Sequence, residues 1–253
     1  MKNSSLNSIF QLIKLGKVSK KINIKTIFIS IEDLKIMIKK IKKFFKEKFY
    51  ILIKTICDLF FASFFLIAGF PLFLLISLLV KFSSRGPIFF SHERIGKDNV
   101  PFQCLKFRTM HPEAEDILQN LIYQNELIRE EFEQTHKLKN DPRITFIGKF
   151  LRKTSLDELP QFLNVLKMEM SIVGPRPIVK KEIIKYGSSM KNVLSIKPGI
   201  TGLWQVSGRN NLSYKRRVNL DLVYVKNINF LLDLRIIIRT FGVIFFPHDI
   251  GAY

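Results

Sequence analysis

Residues 59–80 read LFFASFFLIAGFPLFLLISLLV, a run of 22 residues without a charged side chain. A run of this length and polarity is long enough to cross a bilayer as one helix. Gly69 and Pro71 lie near its centre, however, and a helix broken there would have arms of about 18 and 15 Å, shorter than a ~30 Å bilayer core. The sequence leaves two alternatives, a proline-kinked span or a re-entrant hairpin whose ends return to one face.

The chain before this run is strongly basic. Its first fifty residues hold 13 lysines, no arginine and three acidic residues, which is half of the net charge of +20. Ile31, Leu34, Ile38, Ile41 and Phe45 recur there every three or four residues. This pattern predicts an amphipathic helix on an anionic membrane surface. A solvated, partly disordered basic tail is the alternative.

Composition limits the class of partner and of metal site. The chain has 253 residues, 47% of them hydrophobic, which is enough for a substantial core. Its positive charge favours polyanionic partners: nucleic acid, anionic lipid or a phosphorylated substrate. Two cysteines and four scattered histidines have no ligand spacing, so we expect neither a disulfide framework nor a transition-metal site.

The chain after Arg85 changes from a long apolar run to short segments separated by turn-forming residues. Short β-rich runs at 88–90 and 102–107 are separated by turn-forming residues and predict a small hairpin. From Pro112 to Lys139 the apolar residues follow a helical period, which predicts a surface helix with one packed face. We therefore expect a basic leader over 1–50, a membrane segment over 51–81 and a further domain over 82–253.

Adjacent carboxylates stand in the segment RKTSLDELP, residues 152–160. Ser155 and Glu158 have the spacing of a helix capping box, which is the purely structural interpretation. Alternatively, Asp157 lies in the first turn of a helix, where the positive end of the helix dipole keeps it ionised and attracts phosphate. A carboxylate can attack a phosphoryl group if Mg²⁺ and arginines neutralise the phosphate oxygens. Glu158 is then the nearest metal ligand, and the available cations are Arg152, Arg176 and Arg209.

Two further segments have features of a ligand site. In GPRP, prolines on both sides of Arg176 exclude a helix and present the guanidinium from a stiff turn, which suits a phosphate. Glycines of the segment KPGITGLWQVSGRN allow close backbone approach to a ligand, or else only form turns. These glycines are Gly199, Gly202 and Gly208.

In this order, the segments KFRTM, DPRIT, GKFLRKTSLDELPQFLNVLKMEMSIVGPRP, KPGITGLWQVSGRN and FLLDLRIIIRTFGVIF resemble the bacterial sugar transferases. These are monotopic phosphoglycosyl transferases that start glycan assembly on polyprenyl phosphate. The resemblance extends from about residue 50 to the C-terminus. It implies a mostly helical α+β fold, with a re-entrant helix hairpin broken at Pro71, interfacial helices and a small β element around a cytoplasmic active site. Many members have Ser before that proline, where this chain has Phe70.

The resemblance also implies the chemistry. Asp157 would attack the β-phosphate of a UDP-sugar, release UMP and hold the sugar phosphate as an aspartyl ester, which undecaprenyl phosphate then attacks. Asp157 and Glu158 would hold Mg²⁺, and Arg152 would lie near the lipid phosphate. The remaining implied residues are Lys106, Arg108, Arg176 and Arg209 around the diphosphate, with Arg94 and Asp221 as further candidates.

The motifs GPRPIV, Tyr186–Gly187, GLWQVSGRN and the terminal GAY favour galactose or glucose 1-phosphate as the transferred group. The alternatives are a UDP-N-acetylhexosamine donor, a non-enzymatic basic protein tethered to the membrane, or a structural subunit of a glycan assembly. The resemblance implies the bacterial inner membrane, synthesis of exopolysaccharide, capsule or O-antigen, and no nucleic-acid partner. A homo-oligomer and contacts with downstream glycosyltransferases are left open.

Overall fold

A computed structural model describes residues 24–135 and 138–245 of the chain. The chain divides into two compact units, residues 1–49 and residues 50–253. Within the described ranges it is mostly helical with two small sheets. The helices of four residues or more are α1 (Ile24–Ala68), α2 (Phe70–Ser83), α3 (Ala114–Gln124), α4 (Glu126–Thr135), α5 (Phe146–Thr154), α6 (Gln161–Leu166), α7 (Ile183–Tyr186), α8 (Met190–Val193), α9 (Tyr214–Lys226) and α10 (Phe230–Phe245).

The described part of the first unit is helical. Residues 24–49 belong to α1, as the period of three to four residues predicts. Four side chains of the predicted stripe are exposed, namely Leu34, Ile38, Ile41 and Phe45. Contact of this stripe with a membrane stays a prediction, and the leader before residue 24 and the terminal GAY lie outside the described residues.

The apolar run is divided between two helices at Gly69. Helix α1 ends at Ala68 and α2 begins at Phe70, with Pro71 in its first turn. Proline costs no hydrogen bond there, because the N–H groups of the first turn have no acceptor within the helix. A Cβ on Gly69 would lie 2.6 Å from the Phe65 carbonyl oxygen, so the break requires glycine. Among the described residues, Lys48–Ala68 is long and apolar enough to cross a membrane, whereas Phe70–Ser83 is shorter. The helix boundary lies at Gly69, two residues before the Pro71 at which the sequence predicts the break, and the re-entrant geometry stays a prediction.

Both arms of the broken run pack against the rest of the second unit. Ala62 of α1 is fully buried in a cluster with Phe102 and Met170. Val80 of α2 is fully buried in another cluster, with Phe107 among its members. Both arms therefore contact the strand that contains Phe102 and Phe107, although other side chains of the run are among the most exposed hydrophobic residues, such as Ile67, Phe70 and Phe82.

Polar contacts hold the second half of α1 to distant parts of the chain. The Tyr50 hydroxyl and the Lys54 ammonium each lie 2.7 Å from Asp233 Oδ2 in α10. Asp58 Oδ2 accepts a hydrogen bond of 2.7 Å from the Ser171 hydroxyl. Buried polar groups need such partners, so these bonds define how α1 packs against α10 and the adjacent strand.

The predicted hairpin is confirmed. Strands β1 (Phe89–Ile95) and β2 (Pro101–Phe107) pair antiparallel, with Phe90 opposite Lys106 and His92 opposite Cys104. Directly opposed residues share a face of the sheet, so Lys106 and His92 point to the same side.

The predicted surface helix over 112–139 is interrupted. The structure has α3 and α4 in its place, with an extended residue, Asn125, between them. The Asn125 side chain accepts hydrogen bonds from the backbone N–H groups of Leu127 and Ile128, and so caps the start of α4. A residue that satisfies these N–H groups favours a new helix start.

Strands β3 (Ser171–Val173) and β4 (Gly199–Thr201) pair in parallel at the centre of the second unit. A Cβ on Gly199 would lie 2.0 Å from the Gly174 nitrogen, and one on Gly202 would lie 2.3 Å from the Gly174 oxygen. These two glycines therefore allow backbone segments of the protein to pack, rather than a ligand to approach. Gly208 has φ of +136° and forms a turn.

Candidate active site

The carboxylate pair stands on a short connection between two helices. Helix α5 ends at Thr154. The next residue, Ser155, has a left-handed φ of 57°, and a 3-10 turn follows over Leu156–Glu158. The Ser155 side chain makes no capping hydrogen bond, so the predicted capping box is wrong. Because Pro160 delays the next α-helix until Gln161, Asp157 does not lie in the first turn of an α-helix either, and the dipole argument does not apply to it.

Lys106 of strand β2 joins the pair. Its ammonium nitrogen lies 2.6 Å from Glu158 Oε1 and 3.5 Å from Asp157 Oδ2. The Asp157 side chain is mostly buried, whereas those of Glu158 and Lys106 are about a quarter exposed. The shorter contact fixes Glu158, and Asp157 keeps a longer and weaker one.

Burial and charge act on the two carboxylates in opposite directions. Burial, the largest effect, raises the pKa of Asp157 above its ordinary value, and the charge of Glu158 adds to the rise while Lys106 opposes it. Burial alone would raise the pKa of Glu158 as well, but Lys106 and then Arg176 outweigh it and lower that pKa. The site therefore contains one firmly ionised carboxylate beside one that protonates more readily.

The pair lies in a cavity of about 700 Å³. The cavity brings together most of the residues that the sequence predicts for the site. Those that line it are Arg94, Lys106, Arg152, Asp157, Glu158, Arg176 and Arg209. Segments far apart in the chain thus place a set of cations around two carboxylates, an arrangement suited to a multiply charged phosphate ligand.

Two of the predicted residues, Arg108 and Asp221, do not line the cavity. Arg108 is 6% exposed. Its guanidinium donates hydrogen bonds to the carbonyl oxygens of Ser84 at 2.7 Å, and of Val80 and Arg85 at 3.3 Å each. These carbonyl groups lie in the last turn of α2 and in the two residues after it, where a helix leaves carbonyl groups without backbone N–H partners. This placement corrects the expectation that Arg108 surrounds a diphosphate, and we assign it a capping role.

Two arginines of the cavity contact Trp204. The guanidinium carbons of Arg176 and Arg217 lie 5.8 and 5.0 Å from the centre of its ring. Contacts of this kind hold a cation in place without neutralising it. Sequence reasoning missed Arg217 because it belongs to the run YKRRVN, which resembles the charged face of a surface helix. Trp204 lies in the quoted GLWQVSGRN motif, but no role was assigned to it.

Arg152 and Asp221 differ in their relation to the cavity. Arg152 lines it and donates a hydrogen bond of 2.9 Å to the Thr109 hydroxyl. Asp221 is fully buried behind Tyr186, whose hydroxyl donates to Asp221 Oδ2 at 2.9 Å, and its other carboxylate oxygen has no partner among the described residues. Burial raises the pKa of Asp221 to about 7, against the opposing effects of Tyr186 and Arg176.

The residues present are compatible with Mg²⁺. No cluster of three or more histidine, cysteine or acidic side chains that could enclose a metal occurs in the part of the chain that the structure describes. Mg²⁺ does not need one, because it is commonly held by one or two carboxylates together with substrate phosphates. Asp157 and Glu158 supply such a pair in the cavity.

Comparison with known proteins gives consistent results. Residues 49–247 match the family model described as bacterial sugar transferase. An exopolysaccharide production protein, ExoY, of Sinorhizobium fredii is 52% identical over 175 residues, which are 69% of this chain and 77% of the relative.

Two longer relatives match a similar part of the chain. A UDP-galactose-lipid carrier transferase of Erwinia amylovora is 46% identical over 183 residues, 72% of this chain and 38% of that protein. An undecaprenyl-phosphate galactose phosphotransferase of Salmonella typhimurium is 49% identical over 159 residues, 63% of this chain and 33% of that protein. The match thus spans just over a third of the first and a third of the second.

Proposed function

The chain belongs to the bacterial sugar transferase family, and from this premise we propose that it transfers hexose 1-phosphate from a UDP-sugar to undecaprenyl phosphate by way of an intermediate on Asp157. The observation that carries the proposal is the buried pair Asp157 and Glu158, bound to Lys106 in a cavity lined by arginines. A reaction between two phosphate-bearing substrates needs such a cationic site. A carboxylate would repel those phosphates, so its presence there is best explained by a role in the reaction.

In the first step, an oxygen of the Asp157 carboxylate attacks the β-phosphorus of the donor. The bond between that phosphorus and the oxygen bridging the two phosphates breaks, and UMP leaves with that oxygen and the bond's electron pair. The sugar phosphate remains as an acyl phosphate on Asp157. Arg176 and Arg209 line the cavity and would balance the charge of the donor phosphates.

In the second step, a phosphate oxygen of undecaprenyl phosphate attacks the same phosphorus. The bond to Asp157 breaks, the carboxylate is regenerated, and the product is a sugar linked to undecaprenol through a diphosphate. Arg152, which the hydroxyl of Thr109 orients, would bind the acceptor phosphate. Splitting one transfer into two displacements makes each of them easier.

Mg²⁺ bound by Asp157 and Glu158 would supply charge neutralisation for the phosphate oxygens. Lys106 contributes a fixed positive charge at the same place, since its ammonium group contacts both carboxylates. Its hydrogen bond to Glu158 holds that carboxylate in position while Asp157 reacts.

We propose galactose 1-phosphate, with glucose 1-phosphate next, as the transferred group. The support is that two of the relatives described above have galactose in their names and that a third is named for exopolysaccharide production. The corresponding role of this chain is the first membrane step of a surface polysaccharide. An N-acetylhexosamine donor is the alternative outcome of a donor assay.

We propose that residues 59–80 enter and leave the bilayer on the cytoplasmic face. The support is that both arms pack on the strand that contains Phe102 and Phe107, which a straight span leading away from the domain would not allow. The helix boundary at Gly69 would be the point at which the run bends.

The test of the proposed function is to trap the intermediate. Purified full-length protein incubated with UDP-galactose and Mg²⁺, without acceptor, should release UMP and gain the mass of one hexose phosphate. The variant Asp157→Asn keeps the side-chain shape but cannot form the acyl phosphate, so it should show neither product. An adduct of the same mass on Asp157→Asn would place the nucleophile elsewhere.

A further inference from the structure

The cavity around the carboxylate pair has a second set of lining residues that the donor chemistry does not use. We call it the apolar wall and define it as Phe65, Phe162, Ile172, Ile237, Phe241 and Ile244. It combines residues of α1, α6, β3 and α10. A UDP-sugar is polar over almost its whole surface, so an apolar wall offers it little.

Two members of the wall are also exposed at the protein surface. Phe65 in α1 is 44% exposed and Phe241 in α10 is 51% exposed, although both line the cavity. Phe65 stacks on Phe162 with ring centres 4.8 Å apart. The wall therefore begins inside the cavity and continues to the outside along two helices.

The outside that it reaches is itself apolar. In α10, Leu231, Leu234 and Ile238 recur with Phe241 every three or four residues, and all four side chains are exposed. Helix α1 carries the segment Lys48–Ala68, which is apolar and long enough to enter a membrane. A ligand that follows the wall outward thus meets apolar surface and, where these helices contact a bilayer, lipid.

Polar groups beside the wall are satisfied within the protein. Thr201 and Thr240 both line the cavity, and their hydroxyl oxygens lie 2.7 Å apart in a hydrogen bond. Thr240 also donates to the backbone carbonyl of Ile236. These hydroxyls do not need a hydrogen bond from a ligand, so hydrocarbon can bind next to them without leaving a polar group unsatisfied.

We propose that the apolar wall binds the isoprenoid chain of the acceptor, so that its phosphate reaches the cationic part of the cavity while its chain leaves between α1 and α10. The inference rests on the proposed function and adds the residues that select a long-chain acceptor. Burial of each methylene group of the chain on the wall is favourable, so a few contacts suffice for a marked preference for long chains.

The experiment compares two acceptors, undecaprenyl phosphate and a short isoprenyl phosphate of one isoprene unit, with UDP-galactose as donor and the full chain in detergent. Ile237→Trp narrows the cavity at the wall, and Phe241→Ala removes a contact at a position that is 51% exposed. The matched control is Arg239→Trp, because Arg239 lies two residues beyond Ile237 in the same helix, is exposed, does not line the cavity and is not part of the apolar surface.

We expect the ratio of kcat/KM for the long acceptor to that for the short one to fall about tenfold in Ile237→Trp and severalfold in Phe241→Ala. The ratio should not change in Arg239→Trp. If Ile237→Trp impairs both acceptors by the same factor and Phe241→Ala leaves the ratio unchanged, the wall does not bind the chain. If wild-type protein forms no hexose phosphate adduct, the proposed function fails first, and this inference falls with it.

Discussion

The ammonium nitrogen of Lys106 lies 2.6 Å from Glu158 Oε1, although Lys106 and Glu158 are 52 residues apart in the chain. Strand β2 presents the lysine and the 3-10 turn after α5 presents the carboxylate. The contact joins the hairpin to the connection that carries Asp157, and it supplies a permanent cation where the proposed reaction needs one.

Replacing Lys106 by Met should reduce the rate of UMP release about a hundredfold or more, since removal of one fixed charge-stabilising group has effects of this size. The loss should appear in kcat, because the charge of Lys106 would stabilise the β-phosphate during the displacement rather than in the bound substrate. The control is Lys97→Met, which removes an exposed lysine in the turn of the same hairpin, 3.9 Å from Asp98. Exposed pairs of this kind contribute little. A Lys106→Met variant within about threefold of wild type would remove Lys106 from the mechanism.

The rate of adduct formation should depend on pH through Asp157. Only the ionised carboxylate attacks phosphorus, and burial raises the pKa of Asp157. The rate should therefore fall as the pH is lowered, with a midpoint above the value of about 3.9 typical of an exposed aspartate. Single-turnover UMP release measured across pH at saturating Mg²⁺ gives this midpoint.

Lys106→Met should move that midpoint further upward, because the lysine charge lowers the pKa of Asp157. The residual activity of the variant is sufficient for the measurement if adduct is followed by mass. A midpoint that stays in place, or moves to lower pH, would show that another group controls the profile.

Asp221 should make the stability of the protein depend on pH. Its pKa is about 7 when folded and 3.8 when exposed, so between these values the folded protein holds a proton that the unfolded chain has lost. The contribution of Asp221 to the free energy of unfolding is fully present below the lower value and is lost as the pH rises toward 7, by at most about 1.4 kcal/mol per pH unit.

Asp221→Asn keeps an acceptor for the Tyr186 hydroxyl and removes this titration. Thermal unfolding in detergent should therefore show a flatter dependence on pH between 5 and 7 for the variant than for the wild type. Parallel curves would contradict it.

The hairpin predicts that both flanks of residues 59–80 lie on the cytoplasmic side. Single cysteines at Lys39 and Ser189, with Cys57 and Cys104 replaced by serine, should both resist a membrane-impermeant thiol reagent applied to intact cells. Both should react after the membrane is opened. Labelling of one position alone in intact cells would establish a full span instead.

The break itself can be tested in the same background. Pro71→Ala combined with Gly69→Ala favours a continuous helix, although a Cβ on Gly69 requires the backbone near Phe65 to shift. We expect one flank to become accessible and activity to be lost. The matched control is Pro87→Ala, in the connection between α2 and β1, which lies outside the apolar run.

Some features of the fold and site could be predicted because they depend on local pattern. Apolar periodicity located α1, alternating short runs located the hairpin, and the glycine and proline located the break. The family resemblance is confirmed by the match over residues 49–247. Local pattern gave a wrong prediction for the surface helix over 112–139. The Asn125 carboxamide caps a second helix there, which the apolar period does not reveal.

Contacts between distant segments could not be predicted in this way. Nothing in the neighbourhood of Lys106 indicates that it pairs with a carboxylate about fifty residues later, or that Arg108, two residues on, turns away to cap α2. The structural interpretation of Ser155 and Glu158 as a capping box failed because Glu158 binds Lys106 instead. The partner that each of these side chains binds depends on the energy of the assembled cavity. A short stretch of sequence does not include the distant residues that form it.

The bonds from Tyr50 and Lys54 to Asp233 have a consequence for biosynthesis. They connect positions 183 and 179 residues apart, so the start of the membrane helix cannot be fixed until almost the whole chain has left the ribosome. At about 5–20 residues per second, that interval is roughly ten to forty seconds. During it, Lys54 lacks Asp233, and Asp58 lacks Ser171 until that residue, 113 positions later, has emerged, so the bilayer interface is the medium that must accommodate them. We therefore expect truncated nascent chains that lack α10 to associate with the membrane and yet remain sensitive to protease.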